Sequence, residues 1–286
     1  MVQNRSNRGA DVQPKRLPGV KHIIAVGSGK GGVGKSTVAV NLAVALRETG
    51  AQVGLLDADI YGPSIPIMLG LSGTQPTMVD EKTVRPAHKY GIDTISMGFL
   101  LKDTDAVVWR GPMLGKALQQ FIEDVAWENK DYLVIDLPPG TGDVQLSLTQ
   151  LVPVTGAVVV TTPQDVAMAD VRRAIRMFEM THIPILGIVE NMAYFTCPDN
   201  GKDYYIFGKG RTQQTCDEMN LSLLGSLPLD MGVGPAADRG EPIVISEPGG
   251  DQAVRYRQIA KKITEIITKG ASSANPQSKF DDFFNT

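Results

Sequence analysis

Two lysines, a serine and three aspartates carry most of the chemistry open to this chain. Lys35 and Ser36 close the run Gly29-Lys30-Gly31-Gly32-Val33-Gly34-Lys35-Ser36, which has the spacing of a phosphate-binding loop. Glycines there let backbone N–H groups turn inward onto phosphate oxygens, and a following helix adds its positive end. Lys35 would reach the β- and γ-phosphates of a nucleotide, and the Ser36 hydroxyl would ligate Mg²⁺. Leu55-Leu56-Asp57-Ala58-Asp59 sets two carboxylates at the end of an apolar run, where they can orient the metal and an attacking water. Tyr132-Leu133-Val134-Ile135-Asp136 repeats the pattern, as the strand that holds a Mg²⁺-bound water requires. The predicted metal set is therefore Ser36, Asp57 and Asp136, partly through water. Gly29 through Thr37 form the predicted nucleotide cradle. Leu137-Pro138-Pro139-Gly140-Thr141-Gly142-Asp143 follows Asp136 and reads as a loop able to reposition under the γ-phosphate.

These residues work only if particular elements hold them. His22–Gly27 reads as a buried strand entering the loop, and the residues from 35 to 48 as the helix leaving it. Further strands are expected at 52–57, 93–97, 131–136, 156–161, 184–191 and 222–227, with helices at 111–127, 143–152, 166–180 and 252–269. Strands apolar throughout and joined by helices imply an α/β fold, a doubly wound, mostly parallel sheet covered on both faces. The helix at 252–269 has an apolar face of Tyr256, Ile259, Ala260, Ile263, Ile266 and Ile267, and a basic face. It is expected to dock on the sheet rather than on a membrane surface. Residues 1–20 read as a mobile basic arm, 21–270 as the ATPase domain, and 271–286 as a disordered tail.

Composition narrows the function. The 286 residues are 42% hydrophobic and 21% charged, with a net charge of −3. That is ordinary for a globular protein and gives no support to general polyanion binding. There is no run of eighteen apolar residues and no signal-peptide core at the start, so a cytoplasmic location is expected. Two cysteines, Cys197 and Cys216, exclude a multi-disulfide framework, and three scattered histidines make a histidine zinc site improbable.

The second lysine of the loop, Lys30, resembles the deviant Walker A motif of MinD, ParA and nitrogenase iron proteins. In that class it crosses a dimer interface to the other subunit's nucleotide, so the resemblance implies a homodimer sandwiching ATP. Longer strings are similar to the Mrp/ApbC family of iron–sulfur cluster carriers. These are Asp57-Ala-Asp-Ile-Tyr-Gly-Pro-Ser64, Val108-Trp-Arg-Gly-Pro-Met113, Asp136-Leu-Pro-Pro-Gly-Thr-Gly-Asp143, Gln164-Asp-Val-Ala167 and Ile185-Leu-Gly-Ile-Val-Glu-Asn-Met192. The match runs from about 20 to 268. By this resemblance the chain is a SIMIBI-type ATPase in which Asp59 positions the attacking water and Lys30 and Lys35 stabilise the transferred phosphate. Asn191, Pro228 and Asp230 would border adenine. Cargo would be an iron–sulfur cluster, received from an assembly scaffold and delivered to apo-proteins, with no stable membrane or nucleic-acid partner.

One departure matters. The family carries a C-x-x-C pair after Asn-Met-x-Tyr-Phe, whereas this chain has Cys197 and then Asn200. A symmetric dimer would offer two thiolates from this loop instead of four, and asparagine is a poor iron ligand. Cys216 reads as a buried helix cysteine. Two other readings stay open: a MinD/ParA-type ATPase acting on a membrane or DNA, and an ATP-dependent scaffold that has lost its cluster site.

Overall fold

The computed structural model describes residues 16–60, 62–99, 119–120 and 122–273. Its centre is an eight-stranded sheet. The strands are β1 (Val20–Gly27), β2 (Val53–Asp57), β3 (Ala87–Lys89), β4 (Ile92–Ser96), β5 (Lys130–Asp136), β6 (Gly156–Thr161), β7 (Ile185–Glu190) and β8 (Leu223–Ser226). Their spatial order is β8-β7-β6-β1-β5-β2-β4-β3, parallel throughout except for β3 against β4. The seven strands predicted from apolar runs are all present, and the edge strand β3 was not expected.

The main helices are α1 (Lys35–Glu48), α2 (Asp143–Leu151), α3 (Asp165–Met180), α4 (Arg211–Glu218) and α5 (Asp251–Ser273). Strand alternation divides the core in two. Ile24, Val26, Leu55, Val134 and Val158 face α1 and α5, whereas Ile23, Ala25, Leu56, Leu133 and Ile135 pack with residues of α2, α3 and α4. This double cover explains why the strands are apolar on both faces.

Helix α1 is buried almost all round, from Val38 to Leu46. Valines at 38, 40 and 44 are mediocre helix formers, so packing between sheet and α5 decides its structure. Helix α5 buries Ala253, Tyr256, Ile259, Ala260, Ile263 and Ile267 at helical spacing. Arg257 then clamps α1 through Glu48 at 2.6 and 3.1 Å. The apolar face of α5 is thus part of the core. Among the described residues, no helix is long and apolar enough to cross a membrane.

The domain begins before residue 21. Leu17 is buried, the Gly19 carbonyl accepts from Lys130 N–H, and Val20 opens β1. Most of the expected arm and tail, most of the helix at 111–127 and the string Val108–Met113 lie outside the described residues. At the end of that segment Asp124 N–H donates to Gln120 and Trp127 is buried.

Candidate functional site

Four strands deliver their carboxyl ends to one row. Val26 pairs with Asp136, Asp136 with Asp57, and Asp57 with Ser96, across β1, β5, β2 and β4. The phosphate-loop sequence leaves β1 directly above this row. In open parallel sheets this edge is where ligands bind. Gly34 ends the loop in the left-handed region, at φ 80°, and caps α1. Gly29 has no room for a side chain, because a Cβ there would lie 2.2 Å from the Asp170 carbonyl oxygen.

Lys35 is buried between carboxylates. Its Nζ donates to Asp136 Oδ1 at 2.6 Å, lies 3.8 Å from Asp59 Oδ2, and reaches Ser36 Oγ at 3.3 Å. Burial pushes the Asp136 carboxyl up, and the Lys35 ammonium pulls it back. Asp57 is fully buried and pushed up to about 7, first by burial and then by the charge of Asp136. Its oxygens accept from Ser96 Oγ at 2.8 Å, Asp59 N–H at 3.1 Å and Ile65 N–H at 3.4 Å. Asp57 is therefore oriented by protein donors on both oxygens.

Asp59 Oδ1 and Asp136 Oδ2 are buried with no hydrogen-bond partner. Such oxygens are costly to bury unsatisfied. Asp136 and Asp59 flank the Lys35 ammonium, and the Ser36 hydroxyl lies beside it. This is an all-oxygen donor set with excess negative charge, which fits a hard divalent cation such as Mg²⁺.

The remaining predicted residues spread outward from this centre. Lys30 Nζ donates to Gln164 Oε1 of the same chain at 2.9 Å, so the single chain holds this lysine beside its own loop. Asn191 is buried, and its Nδ2 donates to the Val33 carbonyl at 2.9 Å. Pro228 and Asp230 line a cleft of about 440 Å³ with Tyr194, Asp203, Met231 and Arg255. The Pro228 carbonyl accepts from Gln252 at 2.6 Å, and Asp230 Oδ1 from Gly232 N–H at 2.7 Å. The loop after Asp136 is tied to the phosphate loop, since Gly140 N–H donates to the Ser28 carbonyl at 3.1 Å.

Cys197 sits where a two-stranded hairpin, Phe195–Thr196 against Asp203–Tyr204, enters its turn. Its N–H donates to the Lys202 carbonyl and its carbonyl accepts from Gly201 N–H, at 2.9 and 2.8 Å. The side chain is partly exposed. Asn200 shapes the turn by accepting from Lys202 N–H at 2.9 Å. Cys216 is fully buried in α4, and burial pushes its thiol up to about 11. No group of three or more histidine, cysteine, aspartate or glutamate side chains forms a metal cluster among the described residues. Ser96 and Gln164 were missed as candidates. Ser96 ends the strand Ile92–Ser96 at the site edge, but Asp93 and Thr94 interrupt its apolar run, so it lacked the signal that marked Asp57 and Asp136.

Comparison with known proteins decides the family. The family model described as ParA, NUBPL iron-transfer P-loop NTPase, matches residues 19–264. The chain belongs to this family of iron-transfer P-loop NTPases. The iron–sulfur cluster carrier protein of Aquifex aeolicus is 56% identical over 254 residues, 88% of this chain and 70% of that protein. The carrier protein of the same name from Escherichia coli K12 is 52% identical, over 86% of this chain and 67% of its own length. Among solved structures, a nucleotide-binding protein from Archaeoglobus fulgidus in complex with ADP is 40% identical. It covers 83% of this chain and 93% of its own, with a TM-score of 0.73. The cell-division ATPase MinD of Pyrococcus furiosus shares the fold at a TM-score of 0.63, with 23% identity over 86% of this chain and 99% of its own. The P-loop NTPase fold of this iron-transfer family is thus the one expected from the sequence.

Proposed function

We propose that this iron-transfer NTPase is a homodimeric, cytoplasmic ATPase that accepts an iron–sulfur cluster from an assembly scaffold and delivers it to apo-proteins. The observation that carries the ATPase reading is Lys35 held against Asp136 and Asp59, with one oxygen of each carboxylate left unpartnered at the mouth of the phosphate loop.

The loop's backbone N–H groups, from Gly29 to Thr37, bind the phosphates, and Lys35 exchanges its carboxylate contacts for the β- and γ-phosphates. Ser36, Asp59 and Asp136 would hold Mg²⁺, which supplies charge neutralisation on the phosphates when bound, and Asp57 keeps that shell oriented. Asp59 positions the attacking water, while Lys35 and the partner subunit's Lys30 stabilise the charge that builds on the γ-phosphate. For Lys30 to cross, it must first leave Gln164. Asn191, Pro228 and Asp230 border the adenine.

Cys197 supplies the cluster contact as a partly exposed thiol on each subunit. A specific observation favours a second reading. Asn200 is committed to the hairpin turn, so the loop has one thiol and a backbone-shaping amide where the related pattern has two thiols. An ATP-dependent scaffold without cargo would look the same here. The MinD/ParA-type alternative loses its main support, because the amphipathic helix α5 spends its apolar face on the core.

The test is transfer. Protein loaded anaerobically with iron and sulfide is mixed with an apo-acceptor whose activity reports its cluster. The reading expects acceptor activation by the parent and none by Cys197→Ser, and equal activation by both would overturn it.

A further inference from the structure

The strand β7 ends at Glu190, and the next residue touches both halves of the machinery. Asn191 N–H donates to the Thr161 carbonyl at 2.7 Å, which fixes its backbone to the end of β6. Its side-chain amide donates to the Val33 carbonyl, inside the phosphate loop, at 2.9 Å. The fit is tight, because a Cβ on Gly34 would come within 2.2 Å of Asn191 Nδ2. The peptide carrying this contact sits between Gly32 at φ 76° and Gly34 at φ 80°. These are the left-handed residues that shape the loop as a cradle.

From Asn191 the chain reaches Cys197 in six positions, and hydrogen bonds tie the span down. Met192 adopts φ 55°, a left-handed conformation unfavourable for a side chain of this size, and turns the chain. Ala193 N–H donates to the Leu227 carbonyl at 2.9 Å, and the Tyr194 carbonyl accepts from Leu229 N–H at 2.7 Å. Arg255 covers the Tyr194 ring at 5.6 Å. The hairpin starts at Phe195, and both backbone polar groups of Cys197 are bonded within it. Little slack remains between the loop carbonyl and the thiol.

We propose that Asn191 is the positioning residue through which occupancy of the phosphate loop sets the accessibility of Cys197 within one chain. The inference rests on the nucleotide-binding reading above. The cradle shape of the loop and the Asn191–Val33 hydrogen bond require each other, so a ligand that selects the cradle also selects the closed latch. A closed latch fixes the entry to the hairpin and holds the thiol half-buried. When the loop relaxes, the amide loses its acceptor, the strained joint at Met192 is released, and the hairpin opens more often. Coupling of this kind typically amounts to about 5- to 150-fold.

The experiment is alkylation of Cys197 by iodoacetamide, followed by peptide mass mapping, without nucleotide and at saturating Mg-ADP, with saturation verified by calorimetry for each protein. The parent should react at least about 5-fold more slowly with ADP bound. Asn191→Ala, read at its own saturating concentration, should show less than a 2-fold difference (~2-fold being noise against the coupling expected). Met192→Gly, which relaxes the joint and keeps both partners of the Asn191–Val33 hydrogen bond, should also lose most of the effect and serves if Asn191→Ala fails to fold. A parent whose rate ignores bound ADP overturns the proposal without any variant, as does an Asn191→Ala protein that keeps the parent's ratio. If the parent binds no ADP at all, the nucleotide reading itself fails.

Discussion

Asp57 and Asp136 are register partners on adjacent parallel strands, so their carboxylates leave the sheet side by side beneath the phosphate loop. Among the described residues, one lysine, Lys35, lies between Asp136 and Asp59, and it contacts Asp136 far more closely. The site therefore stores negative charge.

That relationship gives a pH dependence. Asp57 is raised from 3.8 to about 7 in the fold, so the folded protein holds a proton that the unfolded chain releases. Stability from this group is present in full below pH 3.8 and is lost as pH rises to about 7. Urea unfolding of the protein without nucleotide or divalent metal should show this decline, and Asp57→Asn should flatten it across the same window. An unchanged slope in Asp57→Asn would assign the proton elsewhere.

Asp59, like Asp136, keeps a buried oxygen without a hydrogen-bond partner, and it lies 3.8 Å from Lys35. Asp59→Ala should bind ATP and hydrolyse it ~10²–10⁴-fold more slowly, the usual loss when a water-positioning base is removed. Single-turnover phosphate release checks this, and parent-like turnover would make Asp59 a structural turn residue.

Lys30 rests on Gln164 in the single chain, and the catalytic use proposed for it needs a second subunit. Lys30→Ala should lower hydrolysis while Lys35→Ala abolishes nucleotide binding. Mixing the two should restore part of the activity, because one chain offers an intact loop and the other an intact Lys30. Verified heterodimers with no recovered hydrolysis would contradict the crossing lysine.

The two thiols should differ sharply. Cys197 is partly exposed, whereas Cys216 is fully buried and raised to about 11. At pH 8 an alkylating reagent should label one thiol per chain in the native protein and two after denaturation. Rapid native labelling of Cys216 would mean that α4 opens far more easily than its packing implies.

The sequence made the centre of the site legible because each part was local. Asp57 and Asp136 end apolar runs, and Lys35 sits at fixed spacing after glycines, so strand, loop and helix could be read around them. Most of the expected strands followed from apolar runs, the mark of a sheet buried on both faces. What stayed hidden depends on contacts across the chain. Gln164 lies 134 positions from Lys30 and Asn191 lies 158 from Val33, and no periodicity joins such pairs. The edge strand β3 is only three residues long, too short to carry a pattern. Leu17 was assigned to the arm because it stands among polar residues, yet it is buried against the core.

Carriage of an iron–sulfur cluster on Cys197, as proposed for this NTPase, is read out by iron uptake. The purified chain is incubated anaerobically with ferrous iron and sulfide, and bound iron and sulfide are counted after desalting. The parent dimer should retain both in an oxygen-labile form, Cys197→Ser should retain neither, and Asn200→Cys should hold them longer with four thiolates per dimer. A parent that takes up no iron while Asn200→Cys does would contradict the carrier function for this chain and leave the ATP-dependent scaffold in its place.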